Sequence, residues 1–501
     1  MKEFCFALLL SFLFKLSFSQ CRITGTIVSK NQYTPELIFL YADGHYEVPS
    51  IKLPTNGTGK IDIKLDITKP VFALLKVNDW SLRLLLSPNR NLHINFKTDN
   101  EEVVSFSGTA AVENNLVRNS ILDSIPFFMK DGSPENPFAK TPLSEWKTKI
   151  TDPMVKQISI ASEKINNANI PSSLKKLLIS ETNYAWQCHL NDLTNNSMGW
   201  AKNADRDTLL DLAMHRMERP DSSLLVSGFY ANMILDRQIQ YYINKPAQEA
   251  KRRKEKVQDV ISALFRMPFS EIDSLVKVYG ERYLIDWIYA KNYLPVSVQD
   301  KILLNKILNA ASNASFNTCF YLMDTMSFYF PNSPYLSVAK NEVALIEKRL
   351  RPKNQNDNIR FRQPGSVSSM NELIKPYAGK IVYLDIWGTW CGPCKIEMKY
   401  VHELKKKFKG RDIVFVYLDM DDNLRDASWK EYLTYYGIEG EHYRMTNEEI
   451  QSIWTEIKKE GGTTGRYPTY VLFDRKGKII TPEAERPSSR EKLYLQLDKV
   501  L

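Results

Sequence analysis

The sequence predicts a chain of three parts in series: an N-terminal all-β segment, an α-helical middle and a C-terminal α/β segment. Three observations carry this. Between Cys21 and about Ser107, short runs such as RITGTIV, KIDIKLDI and LHINFK alternate apolar and polar residues, the period of half-buried strands. From about residue 110 to 350 the apolar residues recur every three or four positions, as in 224–242 and 271–289, the period of helices packed on one face. Beyond about residue 366, strand-like and helix-like runs alternate, the pattern of a sheet layered by helices.

The chain of 501 residues, 43% hydrophobic and 25% charged, has apolar material for more than one core. Residues 1–19 stand apart from the fold. Lys2 opens a basic start, 4–14 is apolar, and Ser17-Phe18-Ser19 is a small-x-small cleavage pattern. Together these predict a signal peptide over 1–19 and an exported, periplasmic protein. The apolar run falls short of the roughly 20 residues that span a bilayer. A lipid anchor on Cys21 is the alternative way of holding the chain at a membrane.

The next segment, 20–109, predicts a small β-sandwich-like domain, with strands also at ELIFLYA, FALLKV and LRLLLS. Residues 110–350 predict a helical domain. Its breaks are expected at Pro171, Pro220, Pro246, Pro268, Pro295, Pro331 and Pro334. Trp186, Tyr230, Tyr241, Tyr242, Trp287 and Tyr289 are expected in its core or lining a groove. Polar residues 351–365 read as a linker, and 366–501 as the α/β domain.

The net charge of +9 comes from 67 basic and 58 acidic residues spread along the chain. The one basic cluster, 251–256, reads as solvated helix surface. No basic stripe interleaves with aromatics, which argues against a nucleic-acid partner.

Of the six cysteines, only Cys391 and Cys394 are close in sequence. Cys188 and Cys319 are expected as lone buried hydrophobes. The run IVYLDIWGTWCGPC puts Cys391 where a buried strand, Ile381–Trp387, gives way to a helix over 393–409. Free N–H groups and the helix dipole stabilise a thiolate there. Cys391 is then the exposed attacking thiol. Cys394, one turn into the helix, is the shielded thiol that resolves a mixed disulfide. Pro393 between them limits the loop. A zinc site would need about four ligands, and the sequence has no second C-x-x-C and no H-x-x-x-H. A thiol peroxidase would carry Thr three residues before its reactive Cys, where Gly388 stands.

With these flanks, WCGPC resembles the thioredoxin superfamily, and is more closely similar to its TlpA/ResA-like exported thiol–disulfide oxidoreductases. The resemblance implies a thioredoxin fold for 366–501 and roles for further residues. Asp385, six residues before Cys391, matches the buried acid that exchanges a proton with Cys394. Glu397, three residues after Cys394, matches an acid beside the redox site. Pro468 in RYPTYVLFD matches the cis-proline that packs on the disulfide and faces an extended substrate strand. Trp390, Gly392, Pro393, Tyr467 and Pro468 are implied as the substrate-binding surface. Tyr417 stands where thioredoxins carry a lysine. The segment 421–459 resembles the insertion typical of these relatives.

The function expected is disulfide exchange with exported Cys-containing proteins, as reductant or isomerase, with the Cys391–Cys394 disulfide as redox centre and no other cofactor or metal. An upstream membrane electron donor is implied. The alternatives are a net disulfide oxidant, or a ligand- or partner-binding protein whose thioredoxin module is regulatory.

Overall fold

A computed structural model describes residues 20–501 apart from 29–34, 40–49, 54–58, 78–79, 99–102, 130–134, 216–218, 281, 351–355, 364, 422–425 and 447. The expected signal segment lies outside the described residues. Among the described residues, no helix is long and apolar enough to cross a membrane.

The N-terminal strands form two four-stranded sheets. One orders β4 (Lys60–Asp66), β1 (Gln20–Val28), β7 (Leu92–Lys97) and β8 (Val103–Ser107). The other orders β3 (Ser50–Lys52), β2 (Glu36–Phe39), β5 (Val71–Val77) and β6 (Trp80–Leu86). Alternate residues of both sheets meet in one core: Ile23 and Ile27 of β1, Leu82, Leu84 and Leu86 of β6, Ile94 and Phe96 of β7. This is what a period of two buries. Gly25 lies at φ 147°, and a Cβ there would come within 1.8 Å of the Ile94 carbonyl oxygen, so β1 and β7 pair this closely only with glycine. Cys21 is fully buried in the same core, its thiol donating to the Arg90 carbonyl at 3.2 Å. Burial pushes that thiol up to about 11. The strands β3 and β8 escape sequence reading because one is three residues long and the other buries neither face fully.

The middle of the chain is helical. Pro171 precedes the helix Ser172–Asp192, as expected. Pro246 breaks nothing: it lies inside Tyr230–Arg253. The loss of one N–H is outweighed there by good helix formers on both sides and by the face that Ile234, Leu235 and Ile239 bury. The stretch 271–289 is two helices, Phe269–Tyr279 and Arg282–Tyr293. Gly280, at φ 91°, ends the first. Trp186, Tyr230, Tyr241, Trp287 and Tyr289 are all buried, and Tyr242 partly so. The basic cluster 251–256 is exposed at a helix C-terminus, where cations complement the dipole. Cys188 and Cys319 are buried and in no disulfide, their thiols donating to the Tyr230 and Ile307 carbonyls at 4.0 and 3.6 Å.

The described chain falls into two compact units: the described residues up to 272 with Asp286–Asn305, and Asp273–Ile285 with the described residues from Lys306 to Leu501. The second unit therefore takes in the helices Phe316–Tyr329 and Leu336–Leu350. Its sheet has six strands in the order β14 (Ile479–Thr481), β13 (Thr469–Phe473), β10 (Ile381–Trp387), β11 (Ile413–Asp419), β12 (Gly440–Arg444) and β9 (Ile359–Phe361). β10 pairs parallel with β11 and antiparallel with β13. It is buried along its whole length. Val382, Leu384 and Ile386 pack on one side with Ile453 and Ile457. Ile381 and Tyr383 pack on the other with Leu404, Phe408 and Leu497. The expected linker contains β9, which pairs parallel with β12. Arg360 and Arg362 both bind the buried Glu441, so this polar stretch is sheet edge.

Candidate active site

The strand β10 ends at Trp387, and four residues later Cys391 is the N-cap of the helix Gly392–Lys407. Its side chain occupies the capping position, and the Cys394 backbone N–H donates to the Cys391 sulfur at 3.1 Å. Cys391 and Cys394 form a disulfide with Cα atoms 5.3 Å apart. Both are covered, Cys391 at 4% and Cys394 at 1% exposure. The expectation of an openly exposed Cys391 is thus corrected. In the disulfide, Cys391 is drawn onto the first helical turn, and the open surface is left to Trp390, Gly392 and Pro393.

The loop before Cys391 is held from below. The Thr389 N–H donates to the Asp421 carboxylate at 3.0 Å, and the Asp421 N–H to Asp419 at 3.0 Å. Both acids are buried. Asp419 is held well above the carboxylate range, first by burial and then by the charge of Asp421. Sequence reading missed this pair, although three acids at a strand's carboxyl end (LDMDD) are a signal, since that is where open α/β sheets place their sites. A Cβ on Gly388 would lie 2.7 Å from the Trp390 ring, so glycine there leaves room for the indole.

Trp390 meets Tyr467 edge-on, ring centroids 4.9 Å apart, and the Tyr467–Pro468 bond is cis. The redox loop and the proline loop are therefore in contact. A cleft of about 310 Å³ opens beside Pro468, with Arg466, Glu483 and Arg486 in its wall.

Asp385 sits on β10 opposite Tyr417 and Tyr470. It is 2% exposed, and its Oδ1 has no hydrogen-bond partner. Burial, and then the charge of Glu397, push its carboxyl well above the usual range. Glu397 is buried and engaged elsewhere. Its carboxylate accepts the Ser488 N–H and the Ser488 hydroxyl, each at 2.9 Å, with Arg486 4.0 Å away. Tyr417 stacks on the buried His442, centroids 4.8 Å apart, and the Lys405 ammonium lies 4.9 Å from the Tyr417 ring centre. So a lysine neighbours this position, supplied by the helix rather than by the strand. Among the described residues, no group of three or more His, Cys, Asp or Glu side chains is placed to hold a metal.

Residues 367–497 match a family model described as Redoxin. The chain is 32% identical over 127 residues to the thiol-disulfide oxidoreductase ResA of Bacillus cereus, covering 25% of this chain and 67% of that relative. It is 35% identical over 107 residues to ResA of Bacillus anthracis, 21% of this chain and 56% of that relative. The chain thus spans little more than half the length of the curated relatives it matches first. The crystal structure of the thioredoxin domain of a thiol-disulfide oxidoreductase from Bacteroides vulgatus is 20% identical, over 26% of this chain and 84% of that one, with a TM-score of 0.21.

Proposed function

The chain belongs to the TlpA/ResA-like thioredoxin family, and on that premise we propose that it is a thiol–disulfide oxidoreductase acting on other proteins through Cys391 and Cys394. The observation that carries this reading is the Cys391–Cys394 pair at a helix N-terminus, with the Cys394 N–H turned onto the Cys391 sulfur. That arrangement favours a thiolate on Cys391.

In the reducing direction, the Cys391 thiolate attacks one sulfur of a substrate disulfide. That S–S bond breaks, its other sulfur leaves as a thiolate, and a mixed disulfide forms. Cys394 loses its proton to Asp385 and attacks the Cys391 sulfur. The second substrate sulfur leaves, and the pair ends as a disulfide. The substrate has gained two electrons, and its two thiolates take up two protons. A buried carboxylate whose proton affinity is raised is a better base for a thiol. Trp390, Gly392, Pro393, Tyr467 and Pro468 form the surface on which the substrate strand lies. The contact between Trp390 and Tyr467 supports this grouping.

The protein works outside the cytoplasm on exported Cys-containing proteins, as reductant or isomerase, and is recharged by a membrane electron donor. The basic-apolar-small order of residues 1–19 supports export. The burial of Cys21 inside a β core favours a released protein over one lipidated at that sulfur. Segment 20–109 carries a β core of its own, and the helices of 110–350 are divided between the two compact units. Glu397 serves the site through Ser488.

The test is reduction of insulin disulfides by the full chain with dithiothreitol. Wild type is active and Cys391→Ala is not, while Cys394→Ser leaves substrate bound to Cys391 as an isolable mixed disulfide. An active Cys391→Ala protein would falsify the assignment.

A further inference from the structure

Lys395 directly follows the redox pair, and its side chain is not on open surface. The residue is 8% exposed. Its ammonium donates to the Asn313 side-chain oxygen at 2.7 Å and lies 5.4 Å from the centre of the Tyr432 ring. Asn313 comes from the turn between the helices Val296–Ser312 and Phe316–Tyr329, some eighty residues upstream, in the same compact unit. The carboxamide is oriented. Its nitrogen donates to the Asn309 carbonyl at 2.8 Å, which leaves the oxygen for Lys395. The turn itself is tied to the C-terminal part. The Tyr436 hydroxyl donates to the Ser312 carbonyl at 3.4 Å, and Phe316 packs on Tyr435.

Lys395 lies four residues after Cys391, and its N–H bonds the Cys391 carbonyl at 3.2 Å. That spacing puts the two side chains on one face of the first turn. A cation beside a cysteine favours the thiolate, but only where it is held. Lysine carries a flexible stem and does not hold itself.

We propose that Asn313 is a positioning residue for the redox pair: by anchoring the Lys395 ammonium over the first turn, the helical segment sets how readily Cys391 reacts. This rests on Cys391 being the attacking thiol. The other charged groups near the redox loop and helix are Asp385 on β10, Asp419 at the end of β11, Asp421 just after it, Glu397 on the same helix, and Arg486, 4.0 Å from Glu397. All of these are unchanged by substitution at position 313.

The experiment is the pH profile of iodoacetamide alkylation of the reduced full chain, with the Cys391 adduct identified by peptide mass. No protein substrate is involved, so a failure to reduce insulin and a failure of this inference are separate results. Lys395→Met is expected to move the Cys391 midpoint upward. Asn313→Ala should move it the same way by a smaller amount, lowering the rate at pH 7 about threefold if the shift is about half a unit. The double variant should match Lys395→Met alone, because the amide acts only through the lysine. An Asn313→Ala profile that overlays wild type overturns the proposal, as does an Asn313→Ala effect that persists in full on the Lys395→Met background. Thermal unfolding of each variant, followed by circular dichroism, confirms that the profiles compare folded proteins.

Discussion

The Glu397 carboxylate accepts two hydrogen bonds from one residue, the Ser488 N–H and hydroxyl, each at 2.9 Å. It thereby ties the redox helix to the turn Pro487–Ser489. Both oxygens are engaged, so Glu397 acts first as a clamp. Glu397→Ala is expected to cost about 1–3 kcal/mol, the loss of two hydrogen bonds at about 0.5–1.5 kcal/mol each. Glu397→Gln, which keeps one acceptor oxygen, should cost less. Urea unfolding midpoints of the two variants check the order. Equal midpoints for wild type and Glu397→Ala would remove the clamp.

Asp385 gives the stability a pH dependence of definite sign. Its folded carboxyl is raised, by burial first and by Glu397 second. A raised acid contributes stability fully below its unfolded value, near 4, and loses it as pH climbs through the folded value. Wild type should therefore lose stability from about pH 4 upward, and Asp385→Asn should lose less. Midpoints measured at successive pH values test this, and parallel curves would count against it. In single turnovers, Asp385→Asn should also slow release of the mixed disulfide by about tenfold or more, if the carboxylate takes the Cys394 proton.

Asp421 supports the redox loop through the Thr389 N–H and keeps Asp419 raised by its charge. Asp421→Asn retains an acceptor of the same size and removes that charge. The Asp419 carboxyl should titrate at lower pH in the variant, as read by carbon-13 NMR of the side chain. An unmoved Asp419 would mean that burial alone sets it.

Far from the redox centre, Gly25 answers to backbone geometry alone. Gly25→Ala brings a Cβ within 1.8 Å of the Ile94 oxygen at φ 147°. The cost should exceed about 2 kcal/mol, the scale of strained backbone and steric clash. Limited proteolysis should then cut within 20–109 before anywhere else.

The redox strand, the helix and the cis-proline were readable because local signals agree there. An apolar run broken only by Asp385 gives β10, a proline and a glycine mark the helix start, and the WCGPC and RYPTY runs carry the family pattern. The strand β12 was not readable. It is GEHYR, and its Glu441, His442 and Arg444 are buried, so a hydrophobic pattern has nothing to detect. The proton affinity of Asp419 and the bond from Lys395 to Asn313 were equally hidden. Each depends on a partner brought close by the fold, and neither leaves a periodic trace in the chain.

The arginines of β9 bear on where this protein can be divided. Glu441 is 4% exposed and holds both Arg360 and Arg362. A gene fragment opened at residue 366, the boundary that composition suggests, would delete both guanidinium groups. It would leave a buried anion without its partners, which costs more than a lost surface pair. It would also uncover β12 as a bare edge able to recruit a neighbouring chain. The smallest fragment that stays monomeric should begin no later than Asn356, whose amide already reaches Glu439 at 2.8 Å.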